Sequence, residues 1–387
     1  MKKRLLLLII YLAFVGLGLP DSLLGAAWPE MYPSLKVPVY YAGILSMIIA
    51  GGTVISSLFS SRLIDRFGVG PMTILSVLLT AVALITFSYS DHFVYLCILA
   101  IPLGLGAGCV DAALNNYVAL HYRARHMNWL HCFWGVGAAI GPMIMAGYFA
   151  QGESWNTGYA TVGGIQLVLV ILLLLSGPLW APNHYQSSDS SNSKTSLFSL
   201  LKIPGLKQAL LVFFSYCTIE ATFGLWGASY LVLIREFETQ DAARMVSYYY
   251  GGITLGRFVS GILTSHFTNK QLIYGGQGII LLGLATLTLP FQATLFPGFI
   301  LIGLGCAPIF PSLLHETPRN FGELHSQSIM GMQMASAYIG ITLMPLLFGE
   351  LAAWMGYSML TWFLGVFLAV QIFFTLDLHR LVAKDSR

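Results

Sequence analysis

Four charged side chains stand well inside apolar runs of this sequence: Asp21, Asp111, Glu220 and Arg257. Asp111 lies in Gly104-Leu-Gly-Ala-Gly-Cys-Val-Asp-Ala-Ala-Leu-Asn-Asn-Tyr117. There Gly104, Gly108, Asp111 and Asn115 fall at i, i+4, i+7 and i+11, so a helix carries them on one face. Two glycines on that face let a second helix approach closely. An Asp near the middle of a membrane helix costs about 2.5–3.5 kcal/mol on insertion scales. Such a group needs a polar cavity or a partner. A carboxylate that must shed its charge to cross apolar surroundings is a candidate proton carrier.

The other groups extend this chemistry. Asp21 follows Pro20, which is positioned to break its helix; it is either a proton or substrate site or a charge at the outer water boundary. Glu220 sits in Glu220-Ala-Thr-Phe-Gly-Leu-Trp226-Gly-Ala-Ser-Tyr230. Carboxylates beside aromatic rings suit sugars, because oxygens accept hydroxyl hydrogens while a flat ring covers the C–H face. The competing reading makes Trp226 and Tyr230 part of an interfacial aromatic belt. Arg257 is a fixed cation and needs an anion; Glu220 and Asp111 are the choices, and snorkelling to the cytoplasmic face is the alternative. His131 shares a helix face with Gly135, Ala138 and Pro142. Asn115, Asn116 and Gln333 can donate to and accept from hydroxyls, or simply bond helix to helix. Asp65 and Arg66, in Arg62-Leu-Ile-Asp-Arg-Phe-Gly68, fit a gate at the cytoplasmic boundary or a solvated loop.

The elements that position these groups are membrane helices. The chain has 387 residues, of which 56% are hydrophobic and 9% charged, against about 25% charged in ordinary soluble proteins. It therefore belongs in a bilayer. A spanning helix takes about 20 apolar residues. Twelve stretches qualify: 5–28, 40–61, 71–90, 94–119, 129–150, 158–180, 206–233, 244–265, 271–290, 294–315, 327–350 and 357–377. The first is read as a retained helix, not a cleaved signal. Ala181 to Gly205 contains a Ser-rich run that cannot bury a core. This predicts a six-helix bundle over 1–180, a cytoplasmic linker over 181–205 and a second bundle over 206–387.

Charge sets the orientation. With both termini inside, Lys2, Lys3, Arg4, Arg62, Arg66, Arg123, Arg125, Lys194, Lys202, Lys207, Lys270, Arg319, Arg380, Lys384 and Arg387 are cytoplasmic. Lys36, Arg235 and Arg244 are external, and Arg257 is within a span. The bias favours cytoplasmic termini. The halves also repeat. Gly51-Gly52 matches Gly251-Gly252, and Leu103-Gly-Leu-Gly106 matches Ile302-Gly-Leu-Gly305. Duplicated six-helix halves are the mark of a rocker-type carrier with its site near the midplane. Pro308 and Pro311 should bend the tenth span. The five cysteines have no metal-ligand spacing and are read as packing. No phosphate loop, paired metal-ligand histidines or GxSxG turn occurs, so neither an enzyme nor a cofactor is expected.

The whole chain resembles the major facilitator superfamily. The stretch Arg62 to Gly68 is similar to that superfamily's D-R-x-G signature after helix 2, with Val69-Gly70-Pro71 in place of the usual basic run. A closer resemblance is to the fucose/galactose/glucose–proton symporter group. It rests on Asp21, on Asp111-Ala-Ala-Leu-Asn115, on His131 with Gly135 to Pro142, on Glu220 to Tyr230 and on Pro308 to Pro311. The resemblance implies twelve transmembrane helices in two pseudo-symmetric bundles, and proton coupling at Asp111 and Asp21. The expectation is a multi-pass cytoplasmic-membrane symporter of a monosaccharide, monomeric, with no nucleic-acid partner. Glu220, Asn115, Asn116, Gln333, Trp226, Tyr230 and His131 would face the substrate, with Arg257, Asp65 and Arg66 as charge partner and gate. An exporter of amphipathic compounds and a non-transporting sensor are the rival readings.

Overall fold

The structure, a computed structural model, describes residues 2–122, 124–180 and 200–385, apart from the side chains of 61, 116, 119, 120, 124, 125, 128, 323–325, 327 and 384–385 and that of Lys2. The expected linker falls outside the described residues as far as 199. The first half consists of α1 (Lys2–Asp21), α2 (Leu23–Ser34), α3 (Tyr41–Phe67), α4 (Val69–Phe87), α5 (Phe93–His121), α6 (Ala124–Phe149) and α7 (Trp155–Leu175). The second consists of α8 (Leu206–Arg235), α9 (Thr239–Leu263), α10 (Asn269–Thr288), α11 (Leu295–Cys306), α12 (Ile309–Phe321), α13 (Glu323–Met355) and α14 (Leu360–Asp385).

Eleven stretches of the described residues are long and apolar enough to cross a membrane. The remaining expected span is α9, 25 residues long and more polar because it carries Asp241, Arg244 and Arg257. Helices α1 and α2 together form one span, interrupted at Ser22 beside Pro20. Ser22 uses its hydroxyl to donate to Ala138 O in α6 at 2.7 Å. Helices α11 and α12 likewise form one span, interrupted at Ala307-Pro308. A proline lacks the N–H that would continue the ladder, so both interruptions follow from sequence.

The pairing of helices repeats between the halves. In the first, α1 packs on α6, and α5 packs on both α3 and α4; in the second, α8 packs on α13, and α11 packs on both α9 and α10. Glycine makes the matched contacts possible. A Cβ on Gly104 of α5 would stand 2.2 Å from Ile49 O of α3, and one on Gly303 of α11 would stand 2.1 Å from Tyr249 O of α9. These are the glycines that align in the sequence repeat.

Between the halves, α6 packs on α9, α3 on α13 and α2 on α8. Trp28, Met31, Leu45 and Trp155 of the first half share one buried cluster with Trp226, Tyr230, Phe348 and Tyr357 of the second. The first-half members of that cluster lie at the end away from the termini. At the other end, Leu6, Ile10, Val118 and Leu130 pack within the first half alone. Leu200, Leu206 and Ile329 pack within the second alone. The halves therefore share a core at one end and keep separate cores at the end bearing the termini.

Candidate functional site

The break between α1 and α2 places Asp21 at the last turn of α1, midway along the span. Asp21 is exposed even so, because it faces the space between the halves. Trp134 of α6 donates from Nε1 to Asp21 Oδ2 at 2.7 Å. The guanidinium carbon of Arg257, on α9, lies 5.0 Å from the centroid of that Trp134 ring, within cation–π range. Arg257 Nη2 is also 3.8 Å from Glu220 Oε1 on α8, with side-chain exposures of 17% and 20%. A continuous chain thus runs from Asp21 through Trp134 and Arg257 to Glu220. It starts in the first half and ends in the second. Of the two anions open to Arg257 from sequence, Glu220 is the one in contact.

Backbone and aromatic groups hold this chain in place. Tyr249 donates from its hydroxyl to Glu220 O at 3.0 Å. Tyr250 stands edge-on to Trp134, with ring centroids 6.3 Å apart. Gly135 lets α6 come close to α9: a Cβ there would stand 2.3 Å from Thr254 Oγ1. Ser247 of α9 donates to Ala139 O of α6 at 2.5 Å.

Asp111 and Asn115 keep to themselves on α5. Asn115 Nδ2 donates to Asp111 Oδ1 at 2.9 Å and to Asp111 O at 3.0 Å. The pair is half-buried. Asp111 is near enough for its charge to act on Asp21, and Tyr338 of α13 lies in the field of Asp111 close to Ser57. His131, one turn before Trp134, is exposed, stands edge-on to Phe14 at 6.0 Å and lies within the field of Arg257. Asp21, Asp111, Asn115, His131, Glu220 and Arg257 are therefore grouped around one interhelical space. They supply carboxylates, an amide, an imidazole and a cation, with an indole among them.

Other expected residues are not part of that group. Trp226 is fully buried; its Nε1 donates to Pro345 O at 2.8 Å, and its ring packs against Phe348 and Tyr357. Tyr230 is buried beside it and donates to Leu287 O at 3.2 Å. Both side chains belong to the packed end, so the expectation that they face a ligand does not hold for this conformation. They face the second-half core, while α8 meets α2 through its backbone at Gly224 and Leu225. Gln333 is also buried and accepts from Thr317 Oγ1 at 2.9 Å, inside the second half. Asp65 and Arg66 are exposed. Arg66 lies 5.3 Å from the centroid of the Phe67 ring, and neither residue forms an ion pair among the described residues. The side chain of Asn116 lies outside the described residues.

The sequence reading missed Trp134, Tyr249 and Tyr250. Each had a signal. Trp134 is three residues after His131, and Tyr250 is seven before Arg257, so each shares a helix face with a residue already singled out.

The comparisons with known proteins agree with this architecture. The family model "Major Facilitator Superfamily" matches residues 10–326. The chain is 24% identical over 318 residues to Bypass of stop codon protein 6 of Saccharomyces cerevisiae, covering 75% of this chain and 61% of that protein. It is also 24% identical over 284 residues to the glucose/mannose transporter GlcP of Bacillus subtilis, covering 71% and 70%. Among solved structures, the D-xylose-proton symporter superposes with a TM-score of 0.78 at 11% identity, covering 98% of each chain. With the family matched over most of its length and the paired six-helix architecture in place, the chain belongs to the Major Facilitator Superfamily of membrane transporters.

Proposed function

We propose that this protein is a proton-coupled symporter of a monosaccharide that works by alternating access. The observation that carries the reading is the convergence of Asp21, Asp111 and Glu220 on a space that lies between the halves and is closed at one end. Two carboxylates on the first half are available to carry a proton. Glu220 and Asn115 can accept from and donate to the hydroxyls of a sugar. Similarity to a glucose/mannose transporter supports the substrate class. The bodies that rock are residues 1–180 and 206–387, and the termini are cytoplasmic by the charge bias, which makes this conformation inward-facing.

In this mechanism, protonation neutralises the cavity and lets the loaded carrier reorient. The sugar and proton must bind the two conformations unequally for the gradient to drive accumulation. Asp111→Asn is expected to abolish accumulation of labelled D-glucose driven by a pH gradient in proteoliposomes, while counterflow exchange persists. Undiminished gradient-driven accumulation by Asp111→Asn removes Asp111 from proton coupling.

A further inference from the structure

The guanidinium of Arg257 has two partners belonging to different halves. One is the face of Trp134, at 5.0 Å from the ring centroid. The other is Glu220 Oε1, at 3.8 Å, which is longer than a hydrogen bond. The cation therefore lies over the indole and pairs with the carboxylate at ion-pair distance, without a hydrogen bond to it. The same indole is fixed by its N–H to Asp21 Oδ2 at 2.7 Å. We propose that Trp134 is the positioning residue through which the charge of Asp21 in one half sets the hold of Arg257 on Glu220 in the other. The proposal rests on reading Asp21 as a protonatable group of the transport cycle.

The physical link is polarisation. A hydrogen bond to a carboxylate pushes electron density into the indole, and hydrogen-bonded groups strengthen one another in a low-dielectric site. A richer ring face binds a cation more strongly. When Asp21 takes a proton, the N–H loses its charged acceptor and the ring loses that density. Arg257 then moves from the indole to Glu220, which changes the number of Glu220 oxygens open to a sugar hydroxyl. One proton thus acts on a substrate group across the interface without touching it.

The surrounding charges are few. On the elements packed around Asp21, Asp111 of α5 acts on it, and Tyr250 of α9 lies in the field of Asp21. Helix α7 presents the neutral Gln166, whose amide donates to Gly16 O. Around Arg257 stand Glu220, Tyr216 and Cys217 of α8, His131 and Cys132 of α6, and Cys306 of α11. Trp134 is the group that touches both Asp21 and Arg257.

The test uses the full-length protein in lipid nanodiscs, labelled with 5-fluorotryptophan. The fluorine resonance of residue 134 is the one that disappears in Trp134→Phe. It is expected to shift with pH in the otherwise unmodified protein and to stay fixed in Asp21→Asn. A resonance that does not move with pH, or that moves equally in Asp21→Asn, overturns the proposal. A second readout follows transmission. Trp134→Phe keeps a ring for Arg257 but removes the N–H. It is expected to flatten the pH dependence of the half-saturating D-glucose concentration at least threefold, with counterflow retained. An unchanged pH profile in Trp134→Phe also overturns it. If the unmodified protein transports no D-glucose, the symport reading fails on its own, and the fluorine titration still decides the Trp134 link.

Discussion

At the end away from the termini, Gly25 of α2 lies so near α8 that a Cβ on it would stand 2.2 Å from Gly224 O. At the end bearing the termini, Leu6, Ile10 and Val118 pack only within the first half, and Leu206 and Ile329 only within the second. Among the described residues, the same two bodies are in backbone contact at one end and form separate buried clusters at the other. Small residues make the first arrangement possible, since they let helices touch through main-chain atoms. Thr239, which donates to Glu30 Oε1 at 2.6 Å, and the close contact of Gly43 with Leu346 extend the seal across the halves. The difference implies that the protein is closed by contact at few residues, so single substitutions there should bias the whole equilibrium.

The sharpest way to break the contrast is Gly25→Ala. Overpacking a close-packed site costs about 1–3 kcal/mol. Because only the closed state bears that cost, its population should fall about 5- to 150-fold relative to the state open at that end. Spin labels on the loops following α2 and α8 should move apart in double electron–electron resonance. An unchanged distance distribution would mean that the seal does not depend on this contact.

A smaller effect is expected from Trp226→Phe. It removes the hydrogen bond to Pro345 O, worth about 1 kcal/mol. Thermal unfolding should shift down by a few degrees, as about 1 kcal/mol does in a chain of this kind, while substrate selectivity stays the same. Altered selectivity would return Trp226 to the binding site. The smallest effect belongs to Thr239→Val, which deletes a half-buried bond of about 1 kcal/mol or less. A double-mutant cycle with Glu30→Gln, read as the fraction of closed conformer, should show coupling between the two positions. Strict additivity would show that this bond contributes nothing to closure.

Much of the fold was legible before the structure. Apolar stretches of about 20 residues marked the spans, because a bilayer accepts little else. Pro20 and Pro308 announced the two interrupted spans through their missing N–H groups. The aligned Gly104 and Gly303 marked equivalent seams, because each meets backbone of the neighbouring helix. The helix α9 was the least obvious span, since Asp241, Arg244 and the site residue Arg257 make it polar. Within the site, Asp21, Asp111, Glu220 and Arg257 stood out because a charge inside an apolar run is expensive.

Aromatic residues were harder to assign. Trp226 follows Glu220 in the sequence and Trp134 follows His131, yet one seals a core and the other bridges two charges. Indoles are common in membrane chains and serve packing, interfaces and binding alike. Nothing local separates these uses. The answer depends on which neighbouring helix each face meets.

The sequence by itself determined the solvent, the approximate number of the spans, their breaks and the charges that need partners. Each of these follows from hydropathy or from backbone chemistry, which are properties of short stretches. Only the tertiary structure decided that Arg257 meets Glu220, that Trp134 joins Asp21 to that pair, and that the halves share a core at one end and keep separate cores at the other. The link through Trp134 arises where residues more than a hundred positions apart come together, as Asp21 and Trp134 do, and no pattern along the chain encodes which faces will meet.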